Sequence, residues 1–326
     1  MRRFLIGMVF TAASVGLLVR LIDWETTMAV LRDADLTFIA LAVTALILSL
    51  ALKTVRWRLL LPDDSEVKTT RLYRILHISF MLNNVLPARL GDVARVAMAA
   101  QQPGLRVGSV LSSMLTERVT DSVTLLTCFV LVSPFLPIPG EYVSWLHTAW
   151  YVLAGIAALL LLTIVMRKRA ARLAARVHLP ENERLRSEAR SFGDGFRQLF
   201  SRDHLVQIWG ASLLAWGGAF AINYLLMKAL KIEAPMTVAV LLTCVTNLAM
   251  LVPSSPGYIG VFHAAATFAL VPFDVSTARA FSFAVVAHLV NVLPVTILGA
   301  LFLLAGRETL SFNLKSLRKH EPAPSE

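Results

Sequence analysis

Long apolar runs separated by short polar, basic segments dominate this chain. Phe4–Val19, Leu36–Leu52, Val107–Val132, Trp145–Met166, Leu205–Leu226 and Ala278–Leu304 are each about long enough to cross hydrocarbon as a helix. Crossing ~30 Å at 1.5 Å per residue needs roughly 20 residues. None of these runs alternates with period two, which removes a transmembrane barrel. Two further apolar segments, Leu72–Ala100 and Pro235–Phe273, are interrupted. The first breaks between Asn83 and Asp92, around Pro87 and Gly91, and the second between Pro253 and Gly260, around Pro256 and Gly257. Proline removes a backbone donor and glycine permits a sharp reversal, so both breaks predict paired half-helices.

The expected fold class is therefore an all-α polytopic integral membrane protein, with about six spanning helices plus two re-entrant hairpins. With six spans, each interrupted segment must enter and leave on one side. Span, hairpin, span is then repeated with opposite sense, an inverted-repeat arrangement. Paired Pro/Gly-interrupted segments of this kind point to a transporter's binding site. Each break also reads as a kink in an ordinary membrane helix, in which proline and glycine are common. We read the chain as a single transmembrane domain over 1–326: repeat one about 36–166, a basic loop 167–204, repeat two about 205–304 and a tail 305–326. The first run follows Arg2 and Arg3 as a signal peptide would, but without a clean small-residue cleavage site, so we expect it to be retained.

Composition agrees with this reading. Of 326 residues, 56% are hydrophobic and 16% charged, against about a quarter charged in soluble domains. The formal net charge is +10, and it is concentrated in Lys53–Arg74, Arg167–His204 and the tail. The positive-inside rule places these segments and both termini in the cytoplasm, with Arg20–Asp35 outside, and the chain in the inner or plasma membrane. No basic-aromatic interleaving accompanies the charge, so nucleic acid is not expected as a partner. Cys128 and Cys244 lie in apolar runs and read as small buried hydrophobes.

The informative charges lie inside apolar segments. Arg89, Asp92 and Arg95 follow the first break, and Glu117, Arg118 and Asp121 sit in the Val107–Val132 run. A charge at bilayer depth costs roughly 2.5–3.5 kcal/mol on insertion scales, so these groups are expected to meet. Arg89 and Arg95 should lie within direct or water-bridged reach of Glu117 or Asp121, in an interior cavity. One reading is a buried site whose arginines grip an anionic group through bidentate bonds. The other is an ion-pair network locking the hairpin to the span. The second break offers no charge, only backbone amides, Asn247 and His263. No HExxH, GxSxG, Walker A or GxGxxG pattern occurs, so no metal, cofactor or catalytic set is expected.

Three stretches resemble a known family. Asn84 to Arg95 (NVLPARLGDVAR) is similar to the N-x-x-P-x-R-x-G-E-x-x-R stretch of the flippase-like membrane domain of lysylphosphatidylglycerol synthases. Glu117-Arg118 with Asp121 resembles that family's E-R-x-x-D span, and Pro253 to Phe262 its P-x-x-P-G-x-x-G-x-F element. Arg56-Trp57 fits an early R-W pair. Asp92 stands where the family usually has Glu. The resemblance implies lipid translocation: in fused proteins this domain is thought to move aminoacylated lipid between leaflets, and stand-alone archaeal relatives are tied to polyprenyl-phosphate sugar pathways. With no aminoacyl-transferase domain expected after the membrane part, lysylphosphatidylglycerol synthesis by this chain is not expected.

Sequence and resemblance together lead to a flippase-like protein that moves or binds an anionic phospholipid or polyprenyl-phosphate-linked lipid. The expected substrate-binding residues are Asn84, Pro87, Arg89, Asp92, Arg95, Glu117, Arg118, Asp121, Pro256, Gly257 and Gly260. The expected partners are membrane lipids with an anionic head group, a second copy of the chain, or a cell-envelope enzyme. The alternatives are an integral-membrane transferase acting on a lipid-linked substrate, with Asp92 or Glu117 as base, and a non-transporting partner of a cell-envelope assembly.

Overall fold

The computed structural model describes residues 24–86, 89–136, 140, 144, 150–151, 154–155, 158, 187–188, 191–193, 202–250 and 256–306. Among these residues all regular structure is helical. The helices are α1 (Trp24–Arg32), α2 (Leu36–Leu59), α3 (Thr69–Val85), α4 (Leu90–Ala99), α5 (Val107–Val132), α6 (Arg202–Ala229), α7 (Met236–Ala249), α8 (Val261–Leu270) and α9 (Thr277–Ala305). Among the described residues four helical stretches are long and apolar enough to cross a membrane: Leu36–Leu59, Val107–Phe135, Val206–Ala229 and Thr277–Ala305. The chain is thus a multi-pass helical membrane protein. The expected spans Phe4–Val19 and Trp145–Met166, the basic loop and the tail lie wholly or mostly outside the described residues.

Local sequence sets the helix ends. Asp35 caps α2, its carboxylate accepting from the Thr37 amide at 2.8 Å, which satisfies a donor that has no partner within the helix. Ser276 does the same for α9 through the Arg279 amide. One expected boundary is wrong. α2 does not stop at Leu52 before a cytoplasmic basic segment; it continues to Leu59 and carries Lys53, Arg56 and Trp57 inward. Arg56 is 0% exposed, because carboxylates on α5 compensate its charge, as described below.

Eight of the described helices, α2 to α9, fall into two series of four with similar lengths. α2, α3, α4 and α5 have 24, 17, 10 and 26 residues; α6, α7, α8 and α9 have 28, 14, 10 and 29. The packing repeats as well. α2 packs on α3 as α6 packs on α7, and α4 on α5 as α8 on α9. Across the halves, α3 packs on α9 as α7 packs on α5, while α2 and α6 face each other. This last interface is close. Ser49 Oγ donates to the Ala215 carbonyl at 2.8 Å, and a Cβ on Gly218 would lie 3.0 Å from Ser49 Cβ. Small residues at such seams let membrane helices approach and gain dispersion contact.

The two interrupted segments meet at the centre. α3 ends at Val85, and α4 starts after Arg89, which adopts left-handed backbone at φ 53°. α4 folds back tightly on α3: a Cβ on Gly91 would fall 2.0 Å from the Ser79 carbonyl oxygen, so only glycine fits there. In the second half α7 ends at Ala249, a short 3-10 turn spans Pro256–Tyr258, and α8 begins after Gly260. Gly257 at φ 66° and Gly260 at φ 91° take conformations that favour glycine. Gly257 lies against the first break, its Cβ position 3.3 Å from the Asn84 carbonyl oxygen.

Candidate functional site

A cavity of about 800 Å³ lies between the halves. Its walls follow from helical periodicity. α2 contributes Leu46, Leu50 and Lys53; α5 contributes Arg118, Asp121, Ser122, Leu125 and Phe129; α9 contributes His288, Asn291, Val292 and Val295. Spacings of three, four and seven place each set on one helix face. Asn83, Asn84, Arg89, Gly257 and Tyr258 add both breaks to the lining. The wall is apolar over most of its area, and its charged groups gather where the C-terminal part of α2, the N-terminal half of α5 and the first break converge. Its volume falls in the range usual for small-molecule sites.

Adjoining that charged end is a buried ion-pair network. Arg95 makes two bonds to Glu117, Nη2 to Oε2 at 2.7 Å and Nη1 to Oε1 at 3.4 Å, and its guanidinium lies 3.8 Å over the Trp57 ring. Arg56 Nη1 donates to Asp121 Oδ1 at 2.5 Å and to Ser212 Oγ at 3.1 Å, with Glu117 3.7 Å from Nη2. Trp216 Nε1 donates to the same Asp121 oxygen at 2.9 Å. Arg95 and Glu117 therefore meet as expected. Both are buried, Arg95 at 1% exposure, and neither lines the cavity.

Arg89 shares the cavity lining with Asp121 but takes a different direct partner. Among the described residues it forms no ion pair with Glu117 or Asp121. Its Nη2 donates to the Met250 carbonyl at 2.6 Å, and its guanidinium sits 5.6 Å from the Tyr258 ring centroid. Met250 caps the C-terminus of α7. Carbonyls at a helix C-terminus have no partner within the helix and carry the negative end of the macrodipole, so they attract a cation without an acid. Arg89 thus ties the first break to the second.

The remaining expected residues divide as follows. Asp92 bridges Asn83 Nδ2 at 3.0 Å and Arg118 Nη2 at 3.4 Å. Arg118 is half-exposed and lines the cavity. Asn84 lines it too, and its Nδ2 donates to Thr296 Oγ1 on α9 at 3.0 Å. Gly257 lines it, whereas Gly260 serves as the turn into α8. Pro87 lies outside the described residues, and of Pro256 only the backbone turn is described. Sequence reasoning missed Lys53, whose ammonium lies 4.8 Å over the Trp216 ring, as well as Arg56 and His288. The signal was present: Ser49, Lys53 and Arg56 recur at helical spacing within an apolar run, which marks a polar stripe rather than a loop. No group of His, Cys, Asp and Glu suited to a metal occurs among the described residues.

Fold and site define a multi-pass helical membrane protein with a central, partly charged cavity between two similar halves. The chain belongs to the family of the lysylphosphatidylglycerol synthase TM region, which it matches over residues 4–299. It is similar to a protein named Glycosyltransferase AglD of Haloferax volcanii, at 28% identity over 87% of this chain, and spans about half of that protein, 51% of its length. It is also similar to UPF0104 membrane protein PH1989 of Pyrococcus horikoshii, at 22% identity over 91% of this chain and 96% of that protein. No solved structure matches the chain.

Proposed function

We propose that this protein is a flippase-like transporter that takes an anionic lipid head group into the central cavity and passes it between leaflets without covalent chemistry. The observation that carries this reading is the cavity's charge. Lys53, Arg89 and Arg118 line it, against the single described acid Asp121, which Arg56 and Trp216 already engage. An anion entering such a site replaces scattered water contacts with charge-assisted bonds in a poorly screened setting. The guanidinium forks of Arg89 and Arg118 suit phosphate oxygens, and Lys53 adds a point charge. The apolar remainder of the wall fits a head group whose acyl or prenyl tail stays in the bilayer. Arg95 and Glu117 hold the site together from outside its lining.

In this reading α3–α4 and α7–α8 are re-entrant hairpins entering from opposite faces, with their tips meeting at Asn84 and Gly257. The matched lengths and packing of the halves support inverted repeats completed by the two spans outside the described residues. Both termini face the cytoplasm of the inner or plasma membrane. Single cysteines at Asp33 and Arg186, placed in a chain lacking Cys128 and Cys244, should label from opposite sides. Labelling from one side removes the six-span topology.

The name of the Haloferax relative, a glycosyltransferase, keeps a second reading in view, an integral-membrane transferase acting on a lipid-linked substrate. The transferase activity that name indicates would reside in a chain about twice the length matched here. Purified protein in liposomes separates the readings: leaflet redistribution without a new lipid species supports transport, and a new covalent product supports a transferase.

A further inference from the structure

Two imidazoles are stacked beside the cavity in the second half. His263 of α8 and His288 of α9 have ring centroids 4.7 Å apart at an interplanar angle of 27°. Phe262 lies 5.4 Å from the His288 ring, and Phe281 5.8 Å from that of His263. Both histidines are buried, at 6% and 9% exposure, and His263 Nδ1 has no hydrogen-bond partner among the described residues. His288 lines the cavity. A buried, unpartnered imidazole nitrogen costs free energy and calls for an explanation. An ionisable group at membrane depth beside a cavity is a recurring feature of proton pathways.

Their position relative to the cations matters. Asn84, at the first break, bonds to Thr296 on α9. His288 is eight residues away on the same helix, roughly 12 Å along its axis at 1.5 Å per residue. One cavity therefore carries both the cations and a proton acceptor. The titratable groups sharing it with His288 are Lys53, Arg89, Arg118, Asp121, Cys244 and Tyr258. Other titratable groups on the helices packed against α8 and α9 include Glu25, Arg32, Arg56, Arg58, Arg71, Tyr73, Arg74, Tyr224 and Lys228; His77 lies a further stretch along α9, beside Phe302. Among the described residues lining the cavity Asp121 is the single carboxylate, and Arg56 and Trp216 already engage it.

We propose that the His263–His288 pair is the proton site of a proton-coupled transporter, taking up one proton together with the anionic head group; this rests on the anion-site reading above. In the empty cavity Lys53, Arg89 and Arg118 oppose a third-party positive charge. A bound anion offsets them, so proton and anion favour each other's binding through charge alone. Stacked rings 4.7 Å apart repel a second proton, so the pair carries one at a time. The step is imidazole plus hydronium giving imidazolium and water, reversed on the other side. Anion and proton then cross as a neutral unit.

The test uses the full chain in phosphatidylcholine nanodiscs and short-chain dihexanoyl phosphatidylglycerol, whose phosphodiester keeps one charge over the range examined. Affinity is measured between about pH 8 and about pH 5.5, and proton uptake on binding is followed with an indicator dye. One coupled proton gives a slope of up to about tenfold per pH unit. The wild type should bind about tenfold or more tighter at the acid end and take up protons; His288→Asn and, independently, His263→Asn should flatten the slope. A pH-independent affinity in the wild type, or a wild-type slope in both variants, overturns the proton site and leaves the anion site standing. Absence of binding at every pH overturns the anion-site reading and the coupling with it.

Discussion

The two halves share a scaffold and differ in chemistry. α2 to α5 and α6 to α9 repeat in length order and in packing partners. Yet Lys53, Arg56, Arg89, Asp92, Arg95, Glu117, Arg118 and Asp121 all belong to the first half, while α7 and α8 carry no charged residue. The second half answers with neutral groups: the Trp216 N–H, the Met250 carbonyl at the end of α7, and the histidine pair. A duplicated helical frame therefore does not require a duplicated site. One half can hold the charges while the other supplies the dipoles that steady them, and Arg89 is where the two meet.

The sharpest way to break the comparison is to unbalance the network in the first half. Arg56→Ala leaves Asp121 and Glu117 short of a buried partner, and breaking such a pair costs about 3–5 kcal/mol. We expect loss of the monodisperse peak in detergent and a collapse of the thermal transition. A native transition would show that the network carries little of the fold. Glycines compare the two breaks directly. Gly91→Ala drives a methyl into the Ser79 carbonyl at 2.0 Å and should cost on the order of 3 kcal/mol. Gly257→Ala meets only a 3.3 Å contact and a left-handed backbone, a penalty of about 1–2 kcal/mol. Equal shifts in melting would contradict the unequal packing of the breaks. Smallest should be Asp92→Asn. Its bond to Arg118 at 3.4 Å is half-exposed, and such pairs are worth about 1 kcal/mol or less, so the melting temperature should move by little.

Much of this arrangement was legible in the sequence, in an uneven way. Val107–Val132 stands where the apolar run placed it, because a membrane-length run has few alternatives. Both breaks were readable from Pro and Gly, and the Arg95–Glu117 pair from the cost of lone charges at depth. Arg56 was marked only by its helical spacing from Ser49 and Lys53 and by the R-W pair: it adjoins a genuine polar segment, so charge alone did not show that α2 continues seven residues past Leu52. The partner of Arg89 was also hidden, since a helix-terminal carbonyl 161 positions away leaves no mark in side-chain identity. The histidine pair joins two helices whose spacing in the chain reveals nothing of their stacking.

The central claim is that an anionic head group crosses through the Arg89-lined cavity. Its most direct measurement follows fluorescent phosphatidylglycerol between the leaflets of proteoliposomes, in wild type and Arg89→Ala, with lipid extracts checked for new species. Removing Arg89 forfeits one charge-assisted bond to carbonyl, on the order of 1–3 kcal/mol, so the variant should remain folded. We predict rapid redistribution in the wild type, a loss of tenfold or more in Arg89→Ala, partial recovery in Arg89→Lys, and no new lipid. Redistribution at wild-type rate in a well-folded Arg89→Ala sample would contradict the account.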